Sequence, residues 1–169
     1  MNTFEAISKR TSVREYRKDP IERPLLETLV DSARRAPSAR AVEPWEFVVV
    51  TDRDTLVRLS ETCDHGRFLK GAAACLAVFC RDTKYYLEDG CAATENALIA
   101  AADMGLGACW IAGDKKPYAA EVKKILDVPR EMKLISLVSL GWPAEAGEQS
   151  KSRELADLIH WERYNKKEE

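Results

Sequence analysis

No apolar run in the 169-residue sequence approaches the roughly 20 residues that a membrane-spanning helix needs. The start, MNTFEAISKRTSVREY, is charged early and has no apolar h-region, so no secretory signal is expected. Neither sign of charge dominates. The formal net charge of −2 gives no general attraction to nucleic acid or to an anionic membrane surface. Histidine is scarce: Cys63 and His65 make two candidate metal ligands, His160 lies far along the chain, and no metal site is expected. There is no CxxC, no internal repeat and no low-complexity tract, and no GxGxxG follows the first β-branched run. The five cysteines, Cys63, Cys75, Cys80, Cys91 and Cys109, are odd in number and four lie in apolar segments. That pattern points to buried, reduced thiols in a cytoplasmic protein and away from a disulfide framework.

What is present is apolar content of 46%, enough for a core, in a length that suits one domain over residues 1–169. Only the tail, residues 165–169, is expected to fray. The chain is organised around residues 87–113, LEDGCAATENALIAAADMGLGACWIAG. Between Cys91 and Met104 only Thr94, Glu95, Asn96 and Asp103 are polar, so a helix from about Glu88 to Met104 is apolar on almost every side. Such a helix is buried on almost every side, in the core or between the core and a partner subunit. Gly105 and Gly107 stop it, a short strand Ala108–Ala112 follows, and Gly113 closes the stretch. Two readings of that end stay open: a plain core strand, or a strand end whose backbone amides meet a flat ligand.

Upstream, Asn2 and Glu5 have the spacing of a capping box, with Phe4, Ile7 and Ser8 on one helix face. Lys9, Arg10, Thr11, Ser12, Val13 and Arg14 then combine planar cationic donors with short hydroxyls. That mixture suits a phosphate, although a solvated charged loop has the same composition. A helix opens at Pro24 with Leu25, Leu26, Leu29, Val30 and Ala33 inward, and Pro37 begins an extended loop to Trp45. Strands are expected at Glu46–Thr51, Ala74–Cys80 and Leu134–Leu140. Asp52 caps a helix carrying Leu56, Val57 and Leu59. A further helix starts at Pro117 with Tyr118, Val122, Ile125 and Leu126 inward. A last one carries Leu155, Leu158, Ile159 and Trp161. Alternating strands and helices, taken alone, suggest a parallel doubly wound sheet.

Four motifs in order change that expectation. Arg10-Thr11-Ser12-Val13-Arg14, then Ala36-Pro37-Ser38 leading to Glu43-Pro44-Trp45-Glu46-Phe47, then Gly105-Leu106-Gly107 with Trp110-Ile111-Ala112-Gly113, then Lys151-Ser152-Arg153 resemble the FMN-dependent nitroreductase family over almost the whole chain. The resemblance implies an α+β fold with a mostly antiparallel sheet of four to five strands flanked by helices. It also implies a homodimer with non-covalent FMN at the subunit interface. It places Arg10 and Ser12 on the FMN phosphate, with Thr11 in the same loop, and Arg14 near N1 and O2 of the ring. Lys151 and Arg153 reach the phosphate from the C-terminal region. The loop Pro37, Ser38, Ala39, Arg40, Ala41 crosses from the partner onto the ring. Ile111, Ala112 and Gly113 line the ring edge near N4 and N5.

The implied activity is hydride transfer from NAD(P)H through FMN to an electron-poor small molecule, a nitroaromatic, a quinone or similar, by a ping-pong mechanism. No catalytic side chain is nominated, because the flavin carries the chemistry. The chain departs from the family at two positions. The family Asn of the partner loop is Ala41, and the family Gln before Pro-Trp is Glu43. These departures and a short pocket cover keep two other readings open. One is a flavin-binding redox sensor or carrier without turnover, and the other a dehalogenase-type or flavin-fragmenting activity. His65, Arg67 and Phe68 fall where a pocket-edge loop is expected, and equally suit a plain surface loop.

Overall fold

Every residue of the run Ala74–Cys80 is buried, which a strand achieves only when both faces of its sheet are covered. The computed structural model describes residues 1–145, 147 and 150–164, so the tail at 165–169 lies outside the described residues. In chain order the elements are α1 (Thr3–Lys9), α2 (Arg23–Ala33), β1 (Trp45–Val50), α3 (Arg53–Thr62), β2 (Ala74–Cys80), α4 (Tyr86–Asp103), β3 (Gly107–Ala112), α5 (Ala119–Ile125) and β4 (Lys133–Gly141). The strands form one sheet in the order β1-β2-β4-β3, antiparallel at every pairing. This corrects the parallel reading and agrees with the family resemblance. Periodicity says which residues face a core, but it carries no information about which strand lies beside which.

Alternation along β2 divides the core in two. Ala74, Leu76, Val78 and Cys80 pack with α2 and α4, while Cys75, Ala77 and Phe79 pack with α3 and α5. All five cysteines are unpaired thiols, and burial pushes Cys63 and Cys80 up to about 12. Register slips where Val78 faces Ser136 but Phe79 faces Leu134, so Ile135 is an extra residue on β4. Among the described residues no helix is long and apolar enough to cross a membrane.

Helix α4 packs on all four strands and on α1 and α2. Its small side chains Ala93, Ala97 and Ala101 are fully buried and bring it close to the sheet. The Thr94 hydroxyl donates to the Gly90 carbonyl at 2.7 Å and pairs with Ser136 Oγ at 2.8 Å, and Asn96 donates to the Ser32 carbonyl at 3.2 Å. Both polar groups therefore find partners inside the chain, and neither needs one across a two-fold axis. The helix ends in a Schellman arrangement: Gly105 sits at φ 76°, with Leu106 N–H on Ala101 O at 2.8 Å and Gly105 N–H on Ala102 O at 3.1 Å. The helix expected around Leu155 to Trp161 is reduced to a single 3-10 turn, Leu155–Asp157. Leu155, Leu158, Ile159 and Trp161 are exposed there, and a short helix without a surface to pack on has little to hold it.

Two segments outside the regular elements are tied down closely. Residues 11–16 lie along the open edge of β3 and the end of β4. Val13 N–H donates to Ala108 O at 2.9 Å and Arg17 N–H to Trp142 O at 2.8 Å. Glycines permit the approach: a Cβ on Gly107 would stand 2.7 Å from Val13 Cγ1, and one on Gly141 would stand 2.6 Å from Tyr16 Cδ1. The Tyr16 hydroxyl then pairs with Ser139 Oγ at 2.6 Å.

The second segment follows Pro37. Arg40, Ala41 and Glu43 adopt φ of 57°, 54° and 46°, a left-handed region that costs a non-glycine residue about 1–2 kcal/mol. The loop is held by Asp89, which is 4% exposed and accepts from Ala39 N–H at 2.9 Å. Ser38 Oγ accepts from Glu43 N–H at 2.9 Å. Arg81 donates to the carbonyls of Val42 and Glu43 at 3.1 and 3.2 Å.

Gly107→Ala should force Val13 away from β3 and lower stability by about 1–3 kcal/mol. An unchanged urea midpoint would contradict the seating of residues 11–16. Asp89→Ala should cost a similar amount, about 1–3 kcal/mol, by leaving the Ala39 amide unpaired. It should also speed hydrogen exchange at Ala39, whereas Asp89→Asn, which keeps an acceptor oxygen, should protect that amide.

Candidate functional site

Residues 10–14 follow α1 and bridge to β3 at Ser12, with Thr11 and Val13 half-buried and Ser12 and Arg14 exposed. Val13 turns onto Gly107 and Thr11 onto Gly147. Ser12 and Arg14 stand beside Cys109 of β3, and Arg10 lies near enough to act on it while lining the adjoining groove with Thr11 and Val13. Burial raises the Cys109 thiol above its ordinary pKa, and Arg14, the Ser12 hydroxyl and Arg10 oppose that rise. Two guanidinium groups and a hydroxyl thus gather beside an edge strand. The expected grouping of Arg10, Ser12 and Arg14 is present; Thr11 belongs to the same segment but faces away.

The open edge of β3 is the second component. Gly113 N–H donates to Ile135 O at 3.0 Å, so the Gly113 amide is committed to the sheet. A Cβ there would stand 2.5 Å from Leu134 Cγ and 3.0 Å from the Ile135 backbone. Its glycine identity therefore serves strand packing. Antiparallel alternation turns the N–H and C=O of Ala112 the opposite way, to the edge. The Tyr118 hydroxyl donates to the Ala112 carbonyl. Burial pushes the Tyr118 hydroxyl up to about 12, which keeps it a donor at neutral pH. The amide available to a ligand is that of Ala112; Ile111 is buried against the α5 side.

Between these components lies a cavity of about 500 Å³ lined by Arg14, Asp64, His65, Arg67, Phe68, Cys109, Trp110, Ile111, Ala112, Lys116 and Tyr118. The loop after α3 thus reaches the site, which places His65, Arg67 and Phe68 at a pocket edge. Arg14 lies 5.7 Å above the Phe68 ring. Lys116 is a lining residue that sequence patterns did not single out, while Trp110 stands there in a motif and Tyr118 as a core-facing helix residue. A neighbouring groove of about 360 Å³ is lined by Lys9, Arg10, Thr11, Leu106, Gly107 and others. Among the described residues no group of three His, Cys, Asp or Glu side chains could hold a metal.

The other expected residues are elsewhere within one chain. Ala39 and Arg40 line a separate cavity of about 140 Å³ with Thr83, Lys84, Tyr85 and Asp89. Pro37, Ser38 and Ala41 belong to the same loop, and none lines the cavity at Arg14. Glu43 makes no ion pair with Arg40 among the described residues; its carbonyl, not its carboxylate, meets Arg81. Lys151 and Arg153 are exposed, line neither cavity, and Arg153 donates to the Asp157 carbonyl at 2.9 Å.

Comparison with known proteins bears on the family and the fold. The "Nitroreductase family" model matches residues 7–84 and 66–142. A protein of Archaeoglobus fulgidus, "Putative NADH dehydrogenase/NAD(P)H nitroreductase", is 33% identical over 95% of this chain and 98% of its own length. A crystal structure of a Parabacteroides distasonis protein with the same name superposes with a TM-score of 0.91 at 32% identity, covering 97% of this chain and 100% of that one. The "FMN-dependent Nitroreductase" of Clostridium difficile R20291 superposes with a TM-score of 0.85 at 27% identity, covering 95% and 99%. With a family model spanning most of the sequence and relatives matched nearly end to end, the chain belongs to the nitroreductase family.

Proposed function

We propose that this protein is an FMN-dependent oxidoreductase that takes electrons from NAD(P)H and delivers them to an electron-poor small molecule. The observation that carries the reading is the gathering of Arg10, Ser12 and Arg14 beside an edge strand whose Ala112 amide faces a 500 Å³ cavity. The names of the relatives, NAD(P)H nitroreductase and FMN-dependent nitroreductase, support it. When bound, FMN supplies reversible two-electron chemistry.

The donor set fits that cofactor. Arg10 and Ser12 offer a guanidinium fork and a hydroxyl to a phosphate carrying nearly two charges, with Lys151 and Arg153 joining from the C-terminal segment. Arg14, two positions on from Ser12, holds positive charge where the ring becomes anionic on reduction. Ala112 offers a donor at the ring edge and has no side chain to block the adjacent face. Tyr118 fixes the Ala112 peptide by holding its carbonyl.

A homodimer completes the site in this reading. Residues 37–41 lie away from the Arg14 cavity within one chain, as a loop destined for a partner's flavin would. Large apolar side chains are also bare in the single chain: Phe4 is 83% exposed, Leu155 70% and Trp161 74%. Burial of such groups against a second copy is favourable at about 25 cal/mol per Å².

The purified protein should bind FMN and turn yellow. Anaerobic NADH or NADPH should bleach it, and a nitroaromatic or quinone should restore the colour. Failure to bind added FMN would overturn the proposal, and bound FMN without turnover would favour a sensor or carrier. Arg10→Ala and Arg153→Ala should each weaken FMN binding by about 1.5–3 kcal/mol; wild-type affinity in both variants would contradict the phosphate clamp. Arg14→Ala should lower the two-electron potential, by about 30 mV for each 1.4 kcal/mol of preference for reduced flavin that is lost.

A further inference from the structure

The loop after α3 and the turn before α5 bring further positive charge to the cavity. Arg67 and Lys116 both line it, together with His65, while Asp64 is the one carboxylate in the lining. Arg14 stacks over Phe68 and is assigned above to the cofactor. Arg67 and Lys116 are different. Among the described residues neither makes a side-chain hydrogen bond or an ion pair. By contrast Lys115, the neighbour of Lys116, lies 4.0 Å from Asp114. Two cations without carboxylate partners, on separate segments of chain that converge on one cavity, are a local excess of positive charge. The same cavity has aromatic walls in Phe68 and Trp110.

We propose that this cavity selects a planar ligand bearing an anionic group, and that Arg67 and Lys116 hold that group. The inference rests on the oxidoreductase reading for the identity of the site and adds the charge class of what enters it. Phe68 and Trp110 offer flat apolar surface to the ring of an acceptor or to the adenine of a dinucleotide, and the guanidinium and ammonium groups offer charge-assisted hydrogen bonds to a carboxylate or phosphate. Two sources share that chemistry: an aromatic acceptor carrying a carboxylate, and a dinucleotide donor carrying a 2′-phosphate. A neutral ligand of the same shape gains the ring contacts but not the charged ones, so the pocket discriminates by charge.

The test is equilibrium binding to the FMN-loaded protein by calorimetry at low ionic strength, which needs no turnover. Benzoate is compared with benzyl alcohol, and NADP⁺ with NAD⁺, in the wild type, Arg67→Gln, Lys116→Gln and the double variant. The wild type should prefer benzoate over benzyl alcohol, or the more highly charged NADP⁺ over NAD⁺, by about tenfold or more, the size expected of one charge-assisted contact. The double variant should bring that ratio close to one. Loss of the benzoate preference assigns the subsite to an acceptor carboxylate, and loss of the NADP⁺ preference assigns it to the donor phosphate. Equal affinity within both pairs in the wild type would overturn the proposal, as would a preference that survives the double substitution. A protein that takes up no FMN would instead defeat the oxidoreductase reading; benzoate and benzyl alcohol titrated into that protein still decide whether the cavity selects charge.

Discussion

The close approach of residues 11–16 to the glycines at the end of the sheet is the constraint on which the site depends. Val13 over Gly107 and Tyr16 over Gly141 leave no room for a Cβ on either glycine. With Thr11, Val13 and Tyr16 turned onto glycines, Ser12 and Arg14 are left exposed beside Cys109. The hydrogen bond from Val13 N–H to Ala108 O fixes the register of that segment against β3. A one-residue slip would turn Arg14 toward the sheet and Val13 into solvent. The cationic grouping is thus a product of packing on its reverse side, where the sequence places a β-branched residue, an aromatic and two glycines.

The same logic explains the central helix. Small side chains on α4 let it lie against the sheet while α1 and α2 cover its outer side. Its one fully satisfied polar ladder, Gly90 carbonyl to Thr94 hydroxyl to Ser136, ties helix to strand without leaving a donor unpaired. At its first turn Asp89 does a different task. It reaches back 50 residues to hold Ala39, and so steadies a loop with three residues in left-handed conformation. Ala41 is one of them. The family Asn at this position would tolerate that conformation better, since Asn is enriched at positive φ; the alanine leaves the strain to be carried by Asp89, Ser38 and Arg81.

Much of this was legible in the sequence for identifiable reasons. Runs such as Ala74–Cys80 and Leu134–Leu140 are too apolar and β-branched to be anything but covered strands. The capping box at Asn2 and Glu5 and the cap at Asp52 form as their spacing implies. Strand order was not legible, because antiparallel and parallel sheets bury the same residues. The bulge at Ile135 has no local signature. A glycine after a strand has two uses, strand packing and close approach of a ligand, and the structure shows the Gly113 amide bonded to the Ile135 carbonyl. Nothing local marks Asp89 for its hold on Ala39: Glu88, Glu95 and Asp103 lie on the same helix, and only the fold buries Asp89 among them. The pocket-edge loop with Arg67 and Phe68 could be placed from the sequence, but its meeting with Lys116, about 50 residues on, comes only through the fold.

The central claim is that residues 10–14 and the edge of β3 together seat a flavin. A crystal structure of the protein saturated with FMN tests it most directly. The account predicts flavin density with the phosphate at Arg10 and Ser12 and the ring edge at the Ala112 amide. The loop containing residues 37–41 should approach the ring from a second copy. Density for FMN on any other surface, or its absence from this site at saturating FMN, would contradict it.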